Sequence, residues 1–323
     1  MHIFSNKKLK RTLITFPKVA GTTVQNLLTP NFELHAHIRQ HNNLVGWKTI
    51  RLTPDVDTFF DLRFVKNNIP NDHTVTVMYR NPIDRYISGV STLLKDEGTS
   101  IIRYEDTPDN DFWEQKPIAW YRAYLDQLFR ISGLNYDFDN VHTMRIMLYV
   151  FILGVELPNV EFVEVNEFSQ WVKDAHQLPD TYEVPRENND QGAFSKKIKK
   201  LLTARFQDDP GGYGNYINPD MKMYEYLQQH NQVELTFLRD LGILDDIFQE
   251  AYPGGTNPLS RTFPQPRWYM YAIMEWTEHG TCVPDKIRHQ INKHIIQVIG
   301  RYTSVAKNGE LNVRVQMQDS EGD

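Results

Sequence analysis

Two hydrophobic rhythms alternate along this chain. The run Thr12-Leu13-Ile14-Thr15-Phe16 is β-rich and stops at Pro17, and residues 24–28 then read as the first turns of a helix that ends near Pro30. In residues 32–38, Phe32, Leu34, Ala36 and Ile38 alternate with Glu33, His35 and His37, which predicts a strand with both histidines on one face. Residues 74–79 read as a third strand, and from Pro82 onward Ile83, Ile87, Val90 and Leu94 recur at helical spacing. Strand, loop and helix thus follow one another twice.

The pattern then predicts a long helix over 112–131, a buried apolar run over 146–155, a strand over 160–165 and a short helix over 168–175. This alternation predicts an α/β fold with a mostly parallel sheet flanked by helices. A polar loop over 179–191, a basic helix over 195–206, a Gly/Pro loop over 208–219 and a strong helix over 221–241 come next. Pro253, Gly254, Gly255, Pro258, Pro264 and Pro266 crowd one stretch, which places a boundary there. The expected division is a domain of residues 1–250 and a small C-terminal extension of residues 251–323. The extension holds an aromatic cluster of Trp268, Tyr269, Tyr271 and Trp276, a helix over 285–301 and an alternating strand Leu311, Val313, Val315, Met317.

Composition narrows the function classes. The 323 residues carry 35 Lys and Arg against 41 Asp and Glu, a net charge of −6, which argues against a dedicated nucleic-acid binder and confines any anion site to a local cluster. The apolar run over 146–155 is far shorter than the roughly 20 residues of a membrane-spanning helix. The lysines and arginine near the N-terminus are followed by Pro17-Lys18 instead of a signal-peptide core, and Cys282 is the sole cysteine. A cytoplasmic protein without a disulfide framework is expected, with the Cys282 thiol structural.

Two segments carry candidate chemistry. The first is Phe16-Pro17-Lys18-Val19-Ala20-Gly21-Thr22-Thr23, set where a strand turns into a helix. Backbone N–H groups converge at such a turn, the glycine lets an anion approach, Thr22 and Thr23 donate hydroxyls and Lys18 adds a charge. The lysine precedes the glycine, so this is not the nucleoside-triphosphatase loop; the plain alternative is a turn capped by a threonine. The second is Tyr79-Arg80-Asn81-Pro82-Ile83-Asp84-Arg85-Tyr86-Ile87-Ser88-Gly89. Asn81 fits an N-cap and Pro82 a first helical residue, so Arg80 stands at the strand end. Ser88 lies ~9 Å along the helix from Pro82 and offers a hydroxyl to an anion clamped by Arg80. Arg85 reads as structural, paired with a carboxylate.

Together the two segments resemble the 5′-phosphosulfate loop and the 3′-phosphate motif of sulfotransferases that use 3′-phosphoadenosine 5′-phosphosulfate (PAPS). The form Pro-Lys-x-x-Gly-Thr-Thr followed by Arg-Asn-Pro-x-Asp-Arg-Tyr-x-Ser is most similar to the carbohydrate, Golgi-type branch. More loosely, Val141-His142, Val160-Glu161-Phe162-Val163, Asn166-Glu167-Phe168 and Asn218-Pro219-Asp220-Met221 with Tyr224 are similar to later parts of that branch. The likeness covers roughly residues 11–245. Val19 departs from it, since the family commonly has Thr or Ser there. The absence of a membrane anchor and of luminal cysteines implies a soluble microbial or viral relative, and residues after about 255 have no counterpart.

The resemblance implies a three-layer P-loop-like core and transfer of a sulfuryl group from PAPS to a hydroxyl, less readily an amine, of an acceptor such as a carbohydrate, leaving adenosine 3′,5′-bisphosphate. Lys18 would meet charge on the leaving oxygen, and Lys18, Val19, Ala20, Gly21, Thr22 and Thr23 would hold the 5′-phosphate. Arg80 and Ser88 would hold the 3′-phosphate. For the base, the family's His followed by a small residue matches His35-Ala36 best, with His37 and Glu33 as rivals. His142 could instead bind the acceptor or make a structural hydrogen bond. The basic run Ser195-Lys196-Lys197 with Lys199 and Lys200 covers the adenosine, attracts an anionic acceptor or is a solvated face. The aromatic cluster is either a sugar platform or a small core. No metal is expected, because His35-x-His37 lacks a third ligand. Two other readings stand beside this one: a nucleotide kinase, which would need a metal-binding carboxylate and a lysine after the last loop glycine, and a non-catalytic nucleotide-binding module.

Overall fold

The computed structural model describes residues 1–29, 44, 46–52, 60–89, 92, 117, 119, 144–184, 196–197, 199–201, 203–204, 213–234, 272, 275–276 and 278–282. Strands are β1 (His2–Asn6), β2 (Arg11–Thr15), β3 (Trp47–Leu52), β4 (Thr74–Tyr79) and β5 (Val160–Glu164). Helices are α1 (Gly21–Leu28), α2 (Leu62–Asn68), α3 (82–89), α4 (Met147–Glu156), α5 (Phe168–His176) and α6 (Tyr213–Gln229). The expected strand over 32–38, the expected helix over 112–131 except residues 117 and 119, and the expected helix over 285–301 and strand over 311–317 fall outside the described residues.

The five strands form one sheet in the order β3-β1-β2-β4-β5. β2, β4 and β5 run parallel, whereas β1 is antiparallel to both β2 and β3. Among the described residues the sheet is therefore mixed: β3, β2, β4 and β5 share one direction, as the expected mostly parallel arrangement has it, and β1 alone runs against them. The cause is β1, which the sequence hides: its strand residues precede a lysine-rich stretch that reads as a charged terminus. That stretch is a hairpin turn. Asn6 Oδ1 accepts from the N–H groups of Lys8 (3.1 Å) and Leu9 (3.0 Å), and Lys10 takes a left-handed φ of 52°.

Leu13 and Ile14 on β2 and Val75 and Val77 on β4 are fully buried, as is Thr76 between the last two, so both faces of the central strands are covered. α4 packs on β4 and β5, and α6 packs on α4. α4 comes close to β5 at Gly154, where a Cβ would stand 2.5 Å from the Phe162 ring. α5 lies across the sheet, its Trp171 6.1 Å from the Trp47 ring of β3. Glu161 of β5 ties three strands and α5 together, accepting from Arg11 at 2.7 Å, Thr76 at 2.5 Å and Trp171 at 2.9 Å.

Two expectations near the end of the domain are corrected. Residues 213–219, expected in a Gly/Pro loop, open α6, and Pro219 sits inside that helix. Asp220 beside it bonds the start of α4, so tertiary contacts offset the local cost of the proline. The helix expected over 221–241 ends at Gln229, where His230, Asn231 and Gln232 break the apolar spacing. Beyond the Gly/Pro segment, Ala272 and Trp276 are buried in the same core as the sheet. Among the described residues, no helix is long and apolar enough to cross a membrane.

Candidate functional site

The parallel strands β2, β4 and β5 all end at one edge of the sheet, the edge at which open α/β sheets bind ligands. At the end of β2, Pro17 stops the strand and the chain enters a turn in which Lys18 (φ 63°) and Ala20 (φ 51°) are left-handed. Each such non-glycine residue costs about 1–2 kcal/mol, and strain of this kind gathers at binding sites. Alternating backbone of this type turns successive N–H groups toward one concavity. Ala20, whose methyl group has no hydrogen-bonding atom, occupies the N-cap of α1, so the alternative of a threonine cap does not hold. The N-cap residue makes no side-chain cap bond, and the first turn of α1 carries no acidic residue. At Gly21 the nearest atoms to an added Cβ, Phe16 O and the His2 ring, are 3.8 Å away, an ordinary contact distance, so packing does not demand the glycine.

Val19 is turned away from this concavity. Its side chain is fully buried, its N–H donates to Phe16 O at 3.0 Å and its carbonyl accepts from Thr15 Oγ1 at 2.5 Å. The position that departs from the family pattern is thus a core position here, and Thr22 and Thr23, both half-buried, are the hydroxyls left at the helix start.

At the end of β4, Asn81 caps α3 as expected, its Oδ1 accepting from Ile83 N at 3.0 Å and Asp84 N at 3.2 Å. Arg80 reaches across to the first loop and donates to the Lys18 carbonyl at 3.0 Å. Arg85 does the same one step earlier, its Nε donating to Pro17 O at 3.0 Å while Nη1 donates to Met144 O. The Lys18 amine donates to Thr92 Oγ1 at 2.5 Å, and Thr92 in turn donates to Ser88 O at 3.1 Å. The two segments identified in the sequence are therefore physically joined, and Lys18 leans toward the helix that carries Ser88.

The electrostatics of this edge are set by burial and paired charges. Burial pushes the Arg80 guanidinium below its usual value, and the carboxylates of Asp84 and Glu164 act against that. Glu164, at the end of β5, is 5% exposed; burial pushes its carboxyl up although the Asn166 N–H donates to it at 2.7 Å. Burial, with the Glu167 charge adding to it, also raises the Tyr79 hydroxyl, which accepts from Gln228 at 2.7 Å.

Behind Arg80 lies a cleft bounded by Pro82, Arg85, Arg145 and Asp220, with room for about one water molecule. Asp220 is 2% exposed and caps α4, its Oδ2 accepting from Ile146 N at 3.1 Å and Met147 N at 3.2 Å. Burial pushes its carboxyl up, while Arg145 and Arg85 pull it down. Sequence reasoning did not single out Arg145 for this edge; its one signal is a charged residue directly ahead of the apolar run. Asp220 was visible only as part of the Asn-Pro-Asp phrase. Glu33, His35, His37 and His142 lie outside the described residues. Trp276 is 1% exposed with its indole N–H on Glu156 at 3.0 Å, which makes it core and not a sugar platform.

No family model matches the chain, and neither a curated protein nor a solved structure is similar to it at a significant level.

Proposed function

We propose that the protein is a PAPS-dependent sulfotransferase with a P-loop-like three-layer core. The observation that carries this reading is the Arg80 to Lys18 bond, which sets a cation-bearing loop, whose N-cap residue makes no side-chain cap bond, beside an arginine-headed, capped helix at one sheet edge. Two anion sites so joined suit a ligand with two phosphate groups. The turn of residues 17–21 and the first turn of α1 would take the 5′-phosphosulfate, and Arg80 with Ser88 the 3′-phosphate.

Sulfuryl transfer forms a bond from sulfur to the acceptor oxygen and breaks the bond from sulfur to the bridging oxygen, which stays on the 5′-phosphate. Lys18 and the N–H groups at the helix start stabilise charge growing on that oxygen. The acceptor hydroxyl proton goes to a base among His35, His37 and Glu33. Tethering of Lys18 by Arg80 holds the reacting groups in fixed relation, which lowers the entropic part of the barrier. The acceptor is a hydroxyl compound, with carbohydrate as the class implied by the branch resemblance.

The test is calorimetric titration with adenosine 3′,5′-bisphosphate beside 5′-AMP and ATP, on wild type and Arg80→Ala. Selective binding of the bisphosphate that is lost in the variant supports the reading and justifies an acceptor screen with labelled PAPS. Equal binding of the bisphosphate and 5′-AMP sinks it.

A further inference from the structure

The basic run Lys196-Lys197-Ile198-Lys199-Lys200 has no part in the chemistry above. Lys199 nevertheless touches the site, its Nζ lying 3.1 Å from Asp84 Oδ1. Asp84 belongs to the first turn of α3, with its N–H on the Asn81 cap. Its carboxylate is also one of the two negative charges that act on Arg80. One carboxylate, in the first turn of the helix that Arg80 precedes, is therefore paired with a lysine from a distant segment.

A carboxylate in that place opposes the site's purpose. It has the sign of the ligand, and its field works against an anion bound at the helix start beside Arg80. Its own placement in a first helical turn is favourable for the helix, so the sequence keeps it at a cost to anion binding. A cation paired with it, as Lys199 is, offsets that field. Lys196 and Lys200, exposed on the same segment, add positive potential in an otherwise acidic molecule.

We propose that Lys199 is a positioning residue of the second anion site: by pairing with Asp84 it offsets the negative charge at the start of the helix that Arg80 precedes, and so strengthens binding of a phosphate monoester there. The anion chemistry stands by itself; naming the ligand as the 3′-phosphate of the donor rests on the function proposed above.

The pair is well exposed, 61% on the lysine and 42% on the aspartate, so its loss should leave stability unchanged and be read in binding alone. The experiment titrates adenosine 3′,5′-bisphosphate, and separately inorganic phosphate, into wild type, Lys199→Met, Asp84→Asn and the double variant. Lys199→Met is expected to bind about two- to fivefold more weakly with an unaltered melting temperature, and the loss should grow as salt falls below about 0.1 M. Asp84→Asn should restore binding in the Lys199→Met background, because the charge to be cancelled is gone. Wild-type affinity in Lys199→Met overturns the proposal, as does a double variant no better than Lys199→Met alone. If wild type binds inorganic phosphate with this dependence on Lys199 but does not prefer the bisphosphate, the donor reading fails and the role of Lys199 stands. If wild type binds neither anion, both fall.

Discussion

Arg80 donates to the backbone carbonyl of Lys18 at 3.0 Å, so the residue expected to clamp one phosphate also braces the loop expected to cradle the other. This gives Arg80 and Ser88 different signatures. Ser88→Ala removes one neutral hydroxyl and should weaken the bisphosphate by about 1 kcal/mol, roughly fivefold, with 5′-AMP unaffected. Arg80→Ala removes a charged clamp and the brace together, so it should cost about 2–3 kcal/mol for the bisphosphate and also weaken 5′-AMP. Calorimetry on both ligands decides; a 5′-AMP affinity untouched by Arg80→Ala means that the brace is idle.

Arg85 has a different part. Its guanidinium is 2% exposed and holds the carbonyls of Pro17 and Met144, one on the first loop and one ahead of α4. Arg85→Leu leaves the half-buried Pro17 carbonyl and the buried Met144 carbonyl without that donor, and leaves Asp220 with Arg145 as its remaining cation. A loss of about 3 kcal/mol or more in chemical unfolding is expected. A change below about 1 kcal/mol would show that water replaces the guanidinium.

Ala20 is a non-glycine residue at φ 51°, in the turn that closes the first loop. Ala20→Gly should relieve strain and offset the extra chain entropy of glycine, raising stability by about 0.5 kcal/mol. The variant should bind anions no more tightly, since N–H groups held by strain become freer to reorient. Thermal unfolding with and without adenosine 3′,5′-bisphosphate separates the two effects, and a less stable variant would mean that the turn is relaxed as it stands.

Local turn and cap features of the two segments were more legible in the sequence than the frame around them. β2, β4, β5 and α5 lay close to their expected positions because their apolar runs are bounded by Pro17, Pro82 and polar clusters, which are local signals. The Asn81 cap and Pro82 were legible for the same reason. β1 and β3 were not, because pairing across the hairpin, and not local composition, makes them strands. α6 was misjudged at both ends, since a proline that breaks a helix in isolation is held inside one by the bond from Asp220 to α4. The joining of Arg80 to Lys18, 62 residues apart, is tertiary and has no sequence signature at all.

The last relationship to test is at Glu156, whose side chain is 0% exposed at the end of α4. It accepts from Trp276 at 3.0 Å, Thr281 N at 2.7 Å, Thr281 Oγ1 at 2.8 Å, Cys282 N at 2.9 Å and Lys66 at 3.0 Å, and so fastens the segment around 272–282 to the core. Burial alone would raise its carboxyl, but these donors, led by the N–H groups of Thr281 and Cys282, hold it below the ordinary glutamate value. A carboxyl lowered on folding contributes stability that is present above the unfolded value of about 4.3 and is lost as pH falls through the folded one. Glu164, raised by burial, contributes with the opposite sign. The measurement is therefore a difference curve: unfolding free energy of wild type minus Glu156→Gln across the acid range. It should stand at about 3 kcal/mol near neutral pH and shrink as pH falls below the unfolded value of about 4.3, with Trp276 fluorescence reporting release of the segment. A difference that is flat with pH, or that shrinks on the alkaline side, would mean that the charge on Glu156 does not hold the segment in place.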